Sequence, residues 1–203
     1  MISVGVFLKS TAAKAIMFFI LLLPLLYLIL QGWEGGLGSD PAKFVVEYLA
    51  TTAFNLLLIT ISVRPLRKLT GLSSITRFRR MLGLYVYFYV VLHVGSYLLF
   101  MADWSLLVSD LIKRPYISVG FVSFLLLSAL AITSNKVSMR RLGSKWGVLH
   151  RLVYLIVVLV LIHFVWQERA DYSVSFIYFC VILALFVARF GLGSIKHLIR
   201  NSK

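Results

Sequence analysis

Charge is what this sequence has least of. Of its 203 residues only 14% are charged and seven are acidic, while 61% belong to the apolar set AVILMFWYC. A soluble domain carries about 25% charged residues and less than about half apolar ones. A soluble globular enzyme and a disordered chain are therefore both excluded. Cysteine is nearly absent too. A single thiol, Cys180, excludes an internal disulfide framework, a Cys-ligated zinc site and a Cys-ligated iron–sulfur cluster. Cys180 falls in the middle of an apolar run and reads as a buried small residue. No aspartate, glutamate or lysine lies in the middle of any apolar run. That removes the acidic relay of a proton-coupled transporter and the carboxylate pair of a hydrolase. Between the runs no stretch is left for a soluble domain of even about 50 residues.

What the sequence has is long hydrophobic runs. Six stand out, at residues 11–30, 44–63, 81–101, 117–133, 147–166 and 173–188. Each is long enough, or nearly so, to cross about 30 Å of hydrocarbon as a helix. The first is too long, and too poor in small residues near its end, for a cleaved signal, and is expected to be a retained span. The reading is an all-α integral membrane protein, one domain over residues 1–203, folded as a six-helix bundle.

The basic residues orient it. The net charge is +14. In a soluble protein that excess would suggest nucleic acid, but here no nucleic-acid partner is expected. With the N-terminus inside, the inner segments hold Lys9, Lys14, Arg64, Arg67, Lys68, Arg77, Arg79, Arg80, Lys136, Arg140, Arg141, Lys145, Arg151, Arg189, Lys196, Arg200 and Lys203. Only Lys43, Lys113, Arg114 and Arg169 fall outside, together with all the acidic residues: Glu34, Asp40, Glu47, Asp103, Asp110, Glu168 and Asp171. This asymmetry places both termini in the cytoplasm of a bacterial inner membrane. Trp33, Trp104 and Trp166 mark outer ends of runs and Trp146 an inner end, the depth that amphipathic rings prefer.

The inner basic residues Arg77, Arg79, Arg80, Arg140, Arg141, Lys145 and Arg151 admit two readings. One is topology and attraction to anionic membrane lipid, about 1 kcal/mol per residue near the surface. The other is an anion-binding surface for a flavin phosphate, or for docking an electron donor, since guanidinium groups bind phosphate bidentately.

Histidine is the one ligand-type residue inside the runs. His93 lies in the third, and His150 and His163 in the fifth. Neutral imidazole is a common metal ligand, and facing helices can hold haem iron between two of them. His150 and His163 are about 19.5 Å apart along a helix, too far for one metal and suited to two stacked sites. Their rings point about 140° apart on an ideal helix. Depth pairs the third histidine. His93 precedes the outer Asp103 by ten residues and His163 precedes Glu168 by five, whereas His150 precedes it by 18. His93 and His163 are thus the expected axial pair of one haem in the outer half, with His150 nearer the inner face and without a histidine partner. Three unrelated polar residues bonding between helices is the plainer alternative. Tyr85, Tyr87, Tyr89, Tyr97 and Tyr154 crowd the same runs and fit a haem pocket without requiring one. A short internal echo links Arg79-Arg80-Met81-Leu82-Gly83 with Arg140-Arg141-Leu142-Gly143, and both precede histidine-bearing runs of the same direction.

The chain resembles the ferric-reductase-like transmembrane family over nearly its whole length. The resemblance rests on Gly35-Gly36-Leu37-Gly38-Ser39-Asp40-Pro41, Arg77-Phe78-Arg79-Arg80-Met81-Leu82-Gly83-Leu84, Leu92-His93-Val94-Gly95-Ser96-Tyr97 and Arg114-Pro115-Tyr116. It continues through Leu142-Gly143-Ser144-Lys145-Trp146, Leu149-His150-Arg151-Leu152-Val153-Tyr154 and Ile162-His163-Phe164-Val165-Trp166. Within the family it is most similar to haem-binding membrane subunits. That likeness implies b-type haem, one or two per chain, and flavin mononucleotide (FMN). It implies electron transfer from the quinone pool, or from a cytosolic flavin reductase, to a periplasmic molybdopterin subunit that reduces methionine sulfoxide and so repairs oxidised proteins. The chain would then be an electron-transfer subunit and not the catalytic one. By motif, His93, His150 and His163 are the haem-ligand positions. The wider family carries two histidines on each of the third and fifth spans. Here Arg79 and Arg80 stand near the inner position of the third, which speaks against a bis-histidine haem at the inner face. About 15 residues follow the sixth run, so a separate electron donor is expected. Two other functions fit the same residues: a stand-alone transmembrane metalloreductase, and a histidine-bearing transporter without a redox group.

Overall fold

The computed structural model describes residues 4–168 and 171–191. Arg169, and the tail residues Lys196, His197, Arg200 and Lys203, lie outside the described residues. Every regular element among the described residues is helical. Six segments are long and apolar enough to cross a membrane: Thr11–Glu34, Pro41–Thr70, Ser73–Phe100, Pro115–Ile132, Ser144–Gln167 and Ser173–Gly191, called spans 1 to 6 below. Short helices Leu107–Lys113 and Lys136–Leu142 lie in the connections.

The ends follow local chemistry. Ser10 caps span 1, its Oγ accepting from the Ala13 amide at 3.0 Å. Asp40 caps span 2 in the same way through Lys43, and Pro41 takes the first helical position, where a missing N–H costs nothing. Gly35 and Gly71 close these two helices with φ of 74° and 72°, a left-handed turn that residues with a Cβ adopt at a cost. Span 2 overruns the expected boundary near residue 63. Pro65 stays within the helix, which continues to Thr70, with Arg67 and Lys68 in its last turn favourable to the helix dipole.

Two helix pairs build the bundle. Span 2 packs along span 3, and span 4 along span 5, and these are the two most extensive interfaces. Among the described residues Tyr89, Ile156, Val86 and Val157 are the largest fully enclosed side chains. Span 6 packs on spans 5 and 2. The outward faces of spans 1 and 6 are apolar, as lipid contact requires; Phe19, Ile29, Phe176 and Ile177 are all exposed on them. Cys180 is exposed on span 6, not buried as expected, because that face of the helix turns away from its neighbours.

Span 1 is held by tyrosine hydroxyls. Pro24 removes one backbone donor from its middle. Around it, the Tyr89 hydroxyl donates to the Leu21 carbonyl at 2.7 Å and accepts from the Leu25 amide at 3.2 Å. Those two backbone groups are an i, i+4 pair of the same helix. The Tyr48 hydroxyl donates to the Pro24 carbonyl at 3.1 Å, and that of Tyr85 to Phe18 at 3.0 Å. Tyr85 and Tyr89 therefore serve the span 1 interface. Tyr97, by contrast, lines the cavity described below.

The bundle is polar in charge. One end carries Arg64, Arg79, Lys136, Arg151 and Arg189, and the other carries Glu34, Asp40, Asp103 and Asp171. The two ion pairs among the described residues, Lys43–Glu47 and Arg114–Asp110, are both at the acidic end.

Candidate metal centre

His93 and His163 come together. One lies on span 3, the other on span 5, toward the acidic end of each. Their ring centroids are 6.5 Å apart with planes at 73°. Both rings border a cavity of about 330 Å³ between spans 2, 3, 4 and 5. Its walls are mostly apolar, among them Ala50, Phe54, Val90, Ile117, Phe124 and Val160.

Each ring is fixed from behind. His93 Nδ1 lies 2.9 Å from the Val46 carbonyl oxygen on span 2. His163 Nδ1 lies 2.6 Å from the Tyr116 carbonyl oxygen on span 4. A carbonyl only accepts, so Nδ1 carries the proton in both rings and the lone pair is left on Nε2. This is the arrangement that orients a metal-bound histidine and raises its basicity. The close approach needs room one turn beyond each carbonyl. On span 4 that position is Gly120, where a Cβ would lie 2.8 Å from His163 Cε1 and Nδ1. On span 2 it is Ala50, a cavity-lining residue with the smallest side chain.

The donor set has a definite chemistry. Among the described residues no three His, Cys, Asp or Glu side chains group together. Two imidazoles cannot complete an ordinary tetrahedral zinc shell. They suit a metal whose remaining positions are already filled by a macrocycle. An imidazole bound end-on holds its centroid roughly 3.1 Å from the metal, for a metal–nitrogen bond of about 2.0 Å. Centroids 6.5 Å apart leave room for one metal ion between two such rings. The residues present therefore fit haem.

His150 is elsewhere. It opens the 3₁₀ turn His150–Leu152, which interrupts span 5. Its Nε2 lies 3.2 Å from the Thr133 hydroxyl. Its ring stacks on Trp146 at 4.0 Å, and Trp146 Nε1 donates to the Thr133 carbonyl at 3.0 Å. Trp146 thus ties spans 4 and 5 together at the basic end.

The seven basic candidates do not converge as one set. Arg77 donates from Nη1 to the Leu8 carbonyl at 2.8 Å. Arg79 is half-buried at the start of span 3. Arg80, Arg140, Arg141, Lys145 and Arg151 are exposed, and Arg151 Nε reaches back to the Gly147 carbonyl of its own helix. Sequence reasoning missed Val46, Tyr116, Ala50 and Gly120. Only Gly120, a glycine inside an apolar run, leaves a trace there.

Residues 47–161 match the family described as ferric reductase like transmembrane component, a stretch that contains His93 and His150 and ends just short of His163. Two curated relatives are the protein-methionine-sulfoxide reductase heme-binding subunit MsrQ of Xanthomonas euvesicatoria pv. vesicatoria (strain 85-10) and that of Xanthomonas axonopodis pv. citri (strain 306). Each is 45% identical over 146 residues, which is 70% of this chain and 67% of the relative. No solved structure matches it significantly. The family match covers more than half of the chain, and six segments are long and apolar enough to cross a membrane. The chain therefore belongs to the ferric-reductase-like transmembrane family, as a multi-pass protein of the bacterial inner membrane.

Proposed function

We propose that this chain is the haem-binding membrane subunit of a methionine sulfoxide reductase system and carries electrons across the inner membrane. The observation that carries the reading is the facing pair of imidazoles, His93 and His163, each with Nδ1 bonded to a helix carbonyl and Nε2 left to bind. The relatives named as heme-binding subunits of the same reductase support it. His93 and His163 would hold the iron of one b-type haem between spans 3 and 5. Bound there, the haem supplies a one-electron carrier within the membrane.

The protein's own part is binding, orientation and exclusion of water. The helix carbonyls at Val46 and Tyr116 set the tautomer of each ligand. Gly120 and Ala50 let the rings approach, and the apolar walls keep the site dry. His150, tied to Thr133 and Trp146, is not assigned a haem and braces the basic end.

Both termini and the basic end face the cytoplasm, and the acidic end faces the periplasm. Electrons would enter from the quinone pool or from a cytosolic flavin reductase. The exposed Arg80, Arg140, Arg141, Lys145 and Arg151, with the half-buried Arg77 and Arg79 beside them, present the charge that a flavin phosphate or an anionic donor needs. They would leave at the acidic end to a periplasmic molybdopterin-containing subunit.

The test is a reduced-minus-oxidised absorption spectrum of the purified, haem-supplied protein, with added quinol as reductant. A b-type, low-spin spectrum that develops with quinol is the expected result. A folded protein without a Soret band would overturn the reading.

A further inference from the structure

At the basic end Arg189 and Arg79, on two other spans, each lie within electrostatic reach of Arg64. Arg189 lies in the π-helical turn Val187–Gly191 that ends span 6, and this turn packs against span 2. Its Nε donates to the Tyr154 hydroxyl on span 5 at 3.0 Å, and its guanidinium lies 5.3 Å from the Phe190 ring centroid. Arg64 is within electrostatic reach of Arg189, Arg79, Arg67 and Tyr154. No carboxylate offsets them, for all seven acidic residues belong to the far end or its loops. Like charges held together without a counter-charge call for an anion.

The bonding already made leaves the right groups over. Arg189 has spent Nε on Tyr154, which fixes the plane of its fork and leaves its terminal nitrogens without a partner among the described residues. Tyr154 accepts that bond and keeps its own O–H to donate. A planar fork plus a hydroxyl suits a tetrahedral oxyanion. The surroundings choose the source. On the membrane side of Arg189, Leu183 and Val187 are 53% and 60% exposed, and Phe190 beside it is 52% exposed. Such a surface matches acyl chains beneath a headgroup, and basic pockets between spans on the cytoplasmic side are where anionic headgroups bind.

We propose that Arg64, Arg79, Arg189 and Tyr154 form a binding site for the phosphate of one anionic phospholipid at the basic end of the bundle. The site is separate from the His93–His163 pair and does not depend on haem.

The experiment is native mass spectrometry of the full chain released from nanodiscs of phosphatidylglycerol and phosphatidylcholine, repeated with FMN added. Wild type is expected to retain one phosphatidylglycerol. Arg64→Gln and Arg189→Gln should each cut that retention about fivefold, the equivalent of ~1 kcal/mol per basic residue. Lys136→Gln, on the separate helix Lys136–Leu142, should leave it unchanged. Monodispersity and melting temperature report whether each variant is folded, and Arg189→Lys, which keeps the charge, is a milder second variant expected to retain lipid to an intermediate degree. Equal retention in folded wild type and all variants would overturn the site. Loss of FMN binding in the two arginine variants, with lipid retention intact, would assign the phosphate to a flavin and overturn the lipid proposal.

Discussion

His93 and His163 stand 6.5 Å apart, and each bonds a backbone carbonyl 47 residues earlier in the chain. The two halves of the site are thus built alike. A histidine on an odd-numbered span leans on the helix before it, near that helix's beginning, and the next residue one turn on is small. Two helix pairs, 2 with 3 and 4 with 5, each contribute one ring to a cavity between them.

Gly120→Ala should weaken haem retention by about tenfold or more, the usual scale for disturbing a group that orients a metal ligand. The added Cβ would sit 2.8 Å from the His163 ring, so the ring or span 4 must shift. Gly95→Ala is the control, since nothing lies within 4 Å of a Cβ there. Haem loss to apomyoglobin from the two folded variants measures the difference. Equal rates would show that the space at Gly120 is not needed.

Tyr89→Phe should destabilise the fold while leaving the histidine pair in place. The lost hydroxyl bonds both Leu21 and Leu25 beside Pro24, and a typical hydrogen bond is worth about 0.5–1.5 kcal/mol. Thermal melting in detergent should fall, and the segment before span 2 should become more open to protease. An unchanged melting temperature would show that span 1 does not rely on this contact.

At the acidic end, the Ser105 hydroxyl and amide donate to Asp103 and hold its carboxyl below its ordinary value of 3.8. A depressed carboxylate pKa adds stability above the unfolded value, and that contribution is lost as pH falls through the folded value. The turn should therefore persist through neutral and mildly acid pH and open only below about 3.8. Ser105→Ala should raise the Asp103 pKa toward the ordinary value, as followed by carboxyl NMR. No change on that substitution would remove the serine as the cause.

Much of this was legible in the sequence. The six spans follow from apolar runs, and the approach of the His93 and His163 rings follows from their matched depth. The end of span 2 was not legible, because Pro65 and the basic cluster look like a stop and the helix instead runs on to Thr70. The 3₁₀ turn His150–Leu152 that interrupts span 5 was not legible either, since periodicity does not announce it. Tyr85 and Tyr89 sit on the histidine-bearing span, yet they face span 1; depth is written in the sequence, but the rotation of a helix about its axis depends on its neighbours. The carbonyls of Val46 and Tyr116 left no signal, since every residue has one.

The most direct test of the central claim is haem per chain, by pyridine haemochrome, in wild type and in His93→Ala, His163→Ala and His150→Ala, each shown to be folded. The account predicts one haem in wild type and in His150→Ala, and the same spectral component lost in both of the other variants. Different components lost in His93→Ala and His163→Ala, or haem lost in His150→Ala alone, would contradict it.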